Sequence, residues 1–191
     1  MTRTPTGVGS GRAAAGIIPA PMAPPLDIRA ADAGDAPAIA AIYDQGIATG
    51  VATFATGPHD PAERREWLRA RPDRAPVFVG LRAGAVMGWS ALAPLSHRPW
   101  YDGVAEYTVY VASAARGHGV GATMLAHLID VAPEIGYYKL VGHILAGNEA
   151  GLRLSTDAGF RVVGVHRAHG RVDDDWRDVT VVERHLGVRT P

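Results

Sequence analysis

The stretch VAEYTVYVASAARGHGVGA, Val104 to Ala122, decides how this chain folds. Its first eight residues are mostly β-branched, aromatic or small and read as a strand. The pattern then breaks, and Val120, Met124, Leu125, Leu128 and Ile129 recur at helical spacing. Gly117, Gly119 and Gly121 therefore stand where a loop turns into a helix. Glycines there let backbone N–H groups close around an anion, and the unpaired N–H groups and dipole of a first helical turn favour negative charge. A pyrophosphate fits such a cradle. Two other phosphate motifs fail on the residues. A P-loop needs a lysine after its last glycine, and the one lysine of the chain is Lys139, far from these glycines. A dinucleotide fingerprint needs G-x-G-x-x-G after an early strand of a βαβ unit, and Gly117-His118-Gly119-Val120-Gly121 lacks that spacing.

Working outward, Val86 to Leu92 and Val77 to Leu81 are β-rich runs joined by Arg82-Ala83-Gly84-Ala85, a hairpin-type connection that pairs them antiparallel. Before them, Asp60-Pro61-Ala62-Glu63 opens a helix with a side-chain cap, proline at the first helical position and a reciprocal glutamate. Trp67 and Leu68 are its apolar contacts. Ile39, Ile42, Tyr43 and Ile47 mark an earlier helix, with Asp32 or Asp35 as its cap, after a short strand at Leu26 to Ala30. On the other side, Pro133 ends the mid-chain helix near Ala132. Leu140 to Leu145 is a strand, Asn148 caps a helix that stops before Gly159, and Phe160 to Val165 with Asp178 to Arg184 close the chain as strands. This order implies a mixed sheet with helices on both faces.

With 191 residues, the chain has room for one domain and a tail. Residues 1–25, rich in Gly, Ala, Pro and Thr without periodicity, read as a disordered extension, residues 26–187 as the folded domain and 188–191 as a short C-terminal tail. Net charge is zero and the charges are scattered, which argues against nucleic acid as a partner. There is no cysteine, so disulfides, thiolate metal sites and a cysteine nucleophile are excluded together. No apolar run approaches the ~18 residues of a membrane span, and the N-terminus lacks a secretory pattern. A soluble, cytoplasmic protein is expected, with no membrane association.

Arg116-Gly117-His118-Gly119-Val120-Gly121 resembles the R/Q-x-x-G-x-G/A signature of the Gcn5-related N-acetyltransferases (GNAT), and the order of elements from Asp27 to Leu186 is similar to theirs. More narrowly the chain resembles the phosphinothricin acetyltransferase branch. That likeness rests on Ala52-Thr53-Phe54, Arg98-Pro99-Trp100-Tyr101, Ala105-Glu106-Tyr107-Thr108-Val109-Tyr110-Val111, Asn148 and Trp176-Arg177-Asp178-Val179. The resemblance implies an α/β GNAT fold: a central, mixed, mostly antiparallel sheet of six to seven strands with helices on both faces. It also implies acetyl-CoA as cosubstrate, a small-molecule amine such as phosphinothricin or methionine sulfoximine as acceptor, and a homodimer. Val109, Tyr110 and Val111 would lend backbone groups to the pantetheine arm. Gly117, His118, Gly119, Val120, Gly121 and Ala122 would form the pyrophosphate cradle opened by Arg116, and Asn148 would touch the pantetheine as well as cap its helix.

An amine must be neutral to attack a thioester, so an enzyme acting on an ammonium near pH 7 needs a base. Glu106 is the carboxylate within the strand Val104 to Val111, and partial burial would raise its pKa into a useful range. It also matches the family's base. A backbone N–H near Tyr110 would meet the developing oxyanion. The resemblance implies direct transfer without an acyl-enzyme, in agreement with the absence of cysteine and of a serine in a G-x-S-x-G elbow. Ser155 stands where the branch carries histidine and many relatives tyrosine, as a candidate proton donor of a weaker kind. Phe54 and Tyr101 resemble acceptor-lining positions, and Arg98 offers a charge-assisted contact to a carboxylate or phosphinate. Ser96 replaces a basic residue often found in phosphinothricin enzymes. An aminoglycoside, a protein N-terminus, and a non-catalytic acyl-CoA sensor stay open as other readings. Of the eight histidines, His166 and His169 lie three apart on a strand and so on opposite faces, and no metal is expected.

Overall fold

In the computed structural model, which describes Met1 and residues 25–187, the chain runs β1 (Asp27–Ala30), α1 (Ala36–Ile47), α2 (Pro61–Arg69), β2 (Val77–Arg82), β3 (Ala85–Pro94), β4 (Val104–Val111), α3 (Val120–Val131), β5 (Lys139–Leu145), α4 (Glu149–Asp157), β6 (Arg161–Val172) and β7 (Asp175–His185). Apart from Met1 and Pro25, the proposed N-terminal extension and the tail at 188–191 lie outside the described residues. The strands form one seven-stranded sheet in the order β1-β2-β3-β4-β5-β7-β6. Every pairing is antiparallel except β4 with β5. The mixed, mostly antiparallel sheet read from the sequence is therefore present.

Period-two alternation distributes the core to both faces. Val77, Val79, Trp89 and Ala91 point to one side and bury Ile39 and Ile42 of α1. Leu92, Leu140, Ile144 and Val182 point to the other and bury Leu125 and Leu128 of α3 together with Phe160. Helix α2 has no fully buried residue. It is held instead by Trp67 and Leu68, which pack against the Ile39–Trp89 cluster, with Trp67 edge-on to Trp89 at 6.0 Å, and by Arg64 over the Tyr43 ring of α1 at 5.0 Å. Among the described residues, no helix is long and apolar enough to cross a membrane.

Of the two candidate caps before α1, Asp32 makes the side-chain bond, capping the 3-10 turn Ala33–Asp35 that leads into the helix: its carboxylate accepts from the Gly34 N–H at 2.7 Å, whereas Asp35 at the α1 N-cap position makes none to that helix. Asp35 reaches back to the Asp32 N–H at 2.8 Å and completes the capping box. At α2, Asp60 accepts from Ala62 N–H, but no reciprocal bond from Glu63 closes a box there. The last hairpin is much longer than read, because β6 and β7 extend as far as Val172 and Asp175. Its distal half is solvated, so no burial pattern marked it as strand. A bulge between His166 and Gly170, with Ala168 at φ 46°, also breaks the alternation. His166 and His169 are thereby brought together, with ring centroids 4.6 Å apart, rather than sent to opposite faces.

Asp35, only 7% exposed, pairs with both terminal nitrogens of Arg29 at 2.7 and 2.8 Å. Those hydrogen bonds hold its carboxyl below the usual aspartate range. A lowered folded value means that this contribution is complete above the unfolded value of about 3.9 and is lost as pH falls through the folded value. Asp35→Asn is expected to cost roughly 1–3 kcal/mol at neutral pH, with the gap to wild type closing below about pH 4. Urea unfolding at a series of pH values measures it.

Candidate active site

Strands β4 and β5 are parallel and pair only over Val104↔Lys139, Ala105↔Leu140 and Glu106↔Val141. Beyond Glu106 they separate, and β4 continues to Val111 with one edge unpartnered by β5. On its other edge β4 stays in register with β3, where Ala112 donates to the Met87 carbonyl and Leu95 to the Val104 carbonyl. Ladder alternation then turns the N–H and C=O of Thr108 and Tyr110 towards β3, and those of Val109 and Val111 into the gap. The open donor near Tyr110 therefore belongs to its valine neighbours. What Tyr110 brings is its ring, which stacks on Trp89 at 4.9 Å and hydrogen-bonds the Ala52 carbonyl at 3.1 Å. A Cβ on Gly46 would sit 2.8 Å from that ring, so the small residue in α1 makes its place. Burial pushes the Tyr110 hydroxyl far up, keeping it a neutral donor.

The gap opens into a groove of about 670 Å³ lined by Val109, Tyr110, Val111, Arg116, Gly117, Gly119, Val120, Gly121, Ala122 and Asn148, among others. Gly117 and Gly119 have φ of 76° and 79°, a left-handed conformation that glycine adopts without steric cost. Gly119 is the N-cap of α3 and supplies no side-chain cap, so the first-turn N–H groups remain available to an anion. These residues fit a pyrophosphate. Arg116 lines the groove, but its guanidinium is engaged with the carbonyls of Val111 at 3.2 Å and Gln45 at 3.4 Å. It holds the loop to the strand. His118 does not line the groove, and its ring Nδ1 lies 2.8 Å from the Arg116 carbonyl. Asn148 does cap α4, accepting from the Gly151 N–H at 2.9 Å.

A second cavity of about 270 Å³ joins Phe54, Glu106, Tyr107, Val109, His143, Asn148 and Ser155. Phe54 packs on Gly170 of β6, where a Cβ would meet its ring at 2.5 Å. Arg98 and Tyr101 do not line this cavity. They flank an exposed turn, with Arg98 at 6.0 Å from the Trp100 ring centroid and Tyr101 45% exposed. Glu106 is less enclosed than expected: its side chain is 42% exposed, and Oε1 lies 2.9 Å from Nδ1 of His143. His143 was not singled out from the sequence. The available signal was its position on β5, an imidazole amid apolar residues and glycine.

Ser155 is buried and donates to the Gly151 carbonyl at 2.7 Å. With its one hydrogen so used, it accepts from the Tyr107 hydroxyl at 2.6 Å. The expected donor is thus an acceptor for a tyrosine that sequence reading passed over. Burial pushes the Tyr107 phenol up to about 12, so it stays protonated at neutral pH. Among the described residues no three metal-ligating side chains are gathered.

Residues 40–160 match the Acetyltransferase (GNAT) family. The chain belongs to the GNAT acetyltransferase family. Within it, the phosphinothricin N-acetyltransferase of Streptomyces coelicolor is 34% identical over 76% of this chain and 87% of that protein. The L-methionine sulfoximine/L-methionine sulfone acetyltransferase of Pseudomonas aeruginosa is 31% identical over 83% of this chain and 94% of its own length. A GNAT superfamily phosphinothricin acetyltransferase from Sinorhizobium meliloti, solved in complex with acetyl-CoA, superposes with a TM-score of 0.79. It is 27% identical, over 85% of this chain and 89% of its own. The chain is accordingly an acetyl-CoA-dependent N-acetyltransferase of the phosphinothricin acetyltransferase-like GNAT branch.

Ser155→Ala leaves the buried Tyr107 hydroxyl without its acceptor and is expected to cost roughly 1–3 kcal/mol. Combining it with Tyr107→Phe should cost less than the sum of the two single changes, a coupling that denaturant unfolding of the four proteins measures.

Proposed function

We propose that this GNAT enzyme acetylates the amine of a small molecule, an amino acid or analogue such as phosphinothricin or methionine sulfoximine, by direct attack with Glu106 as general base. The observation that carries the reading is the place of Glu106: it is the last residue of β4 paired to β5, at the apex of the gap into which Val109 turns its N–H and C=O and Val111 its N–H, the Val111 carbonyl being taken by Arg116. The Val109 C=O and the Val111 N–H would pair with the amides of the pantetheine arm. The turn at Gly117 to Ala122 would hold the pyrophosphate, and the Nδ2 of Asn148, which has no partner among the described residues, would reach the same arm. When bound, the donor supplies the thioester. Glu106 draws the proton from the acceptor ammonium, directly or through water. The backbone N–H of Val109 is aimed where negative charge grows on the thioester oxygen. Tyr107 and Ser155 both line this cavity, and to protonate the departing sulfur the Tyr107 hydroxyl would have to turn its hydrogen from Ser155 to the thiolate.

The names of the relatives support an amino-acid-like acceptor. A second reading, an amine without a carboxylate, is favoured by the cavity itself, whose lining holds no arginine or lysine. The folded unit at 26–187 would work in the cytoplasm as a homodimer. The unpaired outer edge of β6, where Val162, Val163 and Val165 are exposed, supports self-association.

Coenzyme A release is to be followed with phosphinothricin, methionine sulfoximine, common amino acids and simple alkylamines. At least one acceptor should be turned over, and Glu106→Gln should lower kcat by about 10²–10⁴-fold with little change in KM for acetyl-CoA. Equal rates for both proteins would remove Glu106 from the chemistry. Gly119→Val, which places a β-branched residue at φ 79°, should instead raise KM for acetyl-CoA.

A further inference from the structure

Glu106 does not face the cavity alone. Because β4 and β5 are parallel and last paired at Glu106↔Val141, the residue two along from Val141 projects from the same side of the sheet as Glu106. That residue is His143, immediately past the point where the strands part. Its Nδ1 lies 2.9 Å from Oε1 of Glu106, and both side chains line the cavity that also holds Phe54 and the open edge at Val109. An ionised carboxylate only accepts hydrogen bonds, so Nδ1 carries the hydrogen in this contact and a neutral ring keeps its lone pair on Nε2. Nε2 has no partner among the described residues, and the side chain is 31% exposed.

We propose that Glu106 and His143 form a carboxylate–imidazole dyad in which His143 Nε2 receives the proton of the acceptor amine and Glu106 orients the ring and balances its charge. The proposal rests on the reading above that Glu106 is required to deprotonate the acceptor, and moves the resting place of the proton from its carboxylate to the imidazole. An N–H bond of the acceptor ammonium breaks and its proton bonds to Nε2, giving an imidazolium held against the Glu106 carboxylate. The neutral amine attacks the thioester carbon, a C–N bond forms and the C–S bond breaks. The nitrogen's second proton goes to the departing thiolate, and the imidazolium returns its own to solvent. The sum is amide, free thiol and one proton, with no oxidant or reductant required.

Chemistry favours the ring over a carboxylate as the resting place. An ordinary glutamate titrates near 4.3 and an ordinary histidine near 6.5, and a base works best with a pKa close to the operating pH. The hydrogen bond to Glu106 raises His143 further, against a smaller opposing effect of burial. From β4 His143 meets Glu106. Across β7 its register partner is Val181, and Glu183, opposite Val141, is occupied by Lys139 and Arg161. The cavity-lining residues of the α1–α2 loop, Ala52, Thr53 and Phe54, carry no charge.

The test uses the full chain, acetyl-CoA and the best acceptor of the amine panel, with His143→Gln, Glu106→Gln and the double variant. Both single variants should lose about 10²-fold or more in kcat with KM for acetyl-CoA within about twofold of wild type, and the double variant should be little worse than either. The acidic limb of the wild-type kcat/KM profile should follow the His143 titration seen by NMR, and that titration should move to lower pH in Glu106→Gln, where the charge that raises it is gone. A His143→Gln enzyme with the wild-type pH profile beside an impaired Glu106→Gln would overturn the dyad and leave Glu106 as sole base. Full activity of both variants would remove the Glu106 reading itself. An unchanged His143 titration in Glu106→Gln overturns the dyad whatever the rates.

Discussion

The structure turns on the place where one parallel strand pair stops. Hydrogen bonds between β4 and β5 end at Glu106↔Val141, while β4 stays zipped to β3 and β5 to β7. The sheet is thus continuous at one end and split at the other. The split leaves the N–H and C=O of Val109 and the N–H of Val111 without a partner strand or other partner among the described residues, while Arg116 takes up the Val111 carbonyl; open groups of this kind are costly unless water or a ligand takes them up. A peptide-like arm can pair there as a strand would. The same split sets Glu106 at the apex and exposes the sides of β4 and β5 to one cavity.

What keeps the gap open and shaped is mostly aromatic packing. Tyr110 lies between Trp89 and Tyr43, at 4.9 Å from each, in the space left by Gly46. Its hydroxyl fixes Ala52, and the Tyr43 hydroxyl lies 2.8 Å from the Thr53 hydroxyl, so the segment leading to Phe54 is tied to the sheet. The ring of Phe54 in turn fills the space over Gly170. Helix α2 follows that segment and meets the body through Trp67 on Trp89 and Arg64 over Tyr43. Cation–π contacts of this kind contribute about 0.5–2 kcal/mol each. With no fully buried residue, α2 is less deeply anchored than α1.

On the opposite face the polar groups are coupled in series. Gly142 leaves room for the Tyr107 ring, where a Cβ would come within 2.6 Å, and the phenol reaches across to Ser155 and through it to the Gly151 carbonyl. A larger proton-donating residue at 155 would compete with Tyr107 for that space. The serine and the tyrosine are in this sense one arrangement: the strand residue donates to the small α4 residue, which passes its own hydrogen to the Gly151 carbonyl.

By itself, the sequence determined the order and type of the elements, the antiparallel β2–β3 hairpin, the glycine turn before α3 and the identity of Glu106 as the carboxylate of β4. These follow from local pattern: alternation, helical spacing, caps and the φ demands of Gly117 and Gly119. Tertiary structure decided where each side chain's hydrogens go. The hydrogen of Ser155 goes one turn back in its own helix to Gly151, but its lone pair goes to Tyr107, 48 residues earlier, which no local pattern announces. The pairing of His143 with Glu106 spans 37 residues and exists because two parallel strands are aligned in register before they part. Arg98 and Tyr101 matched a motif yet lie on an exposed turn outside the cavity, and a bulge reunited His166 with His169. Register, bulges and hydrogen-bond direction are set by contacts between distant segments, and a one-residue change in any of them exchanges the faces of a strand.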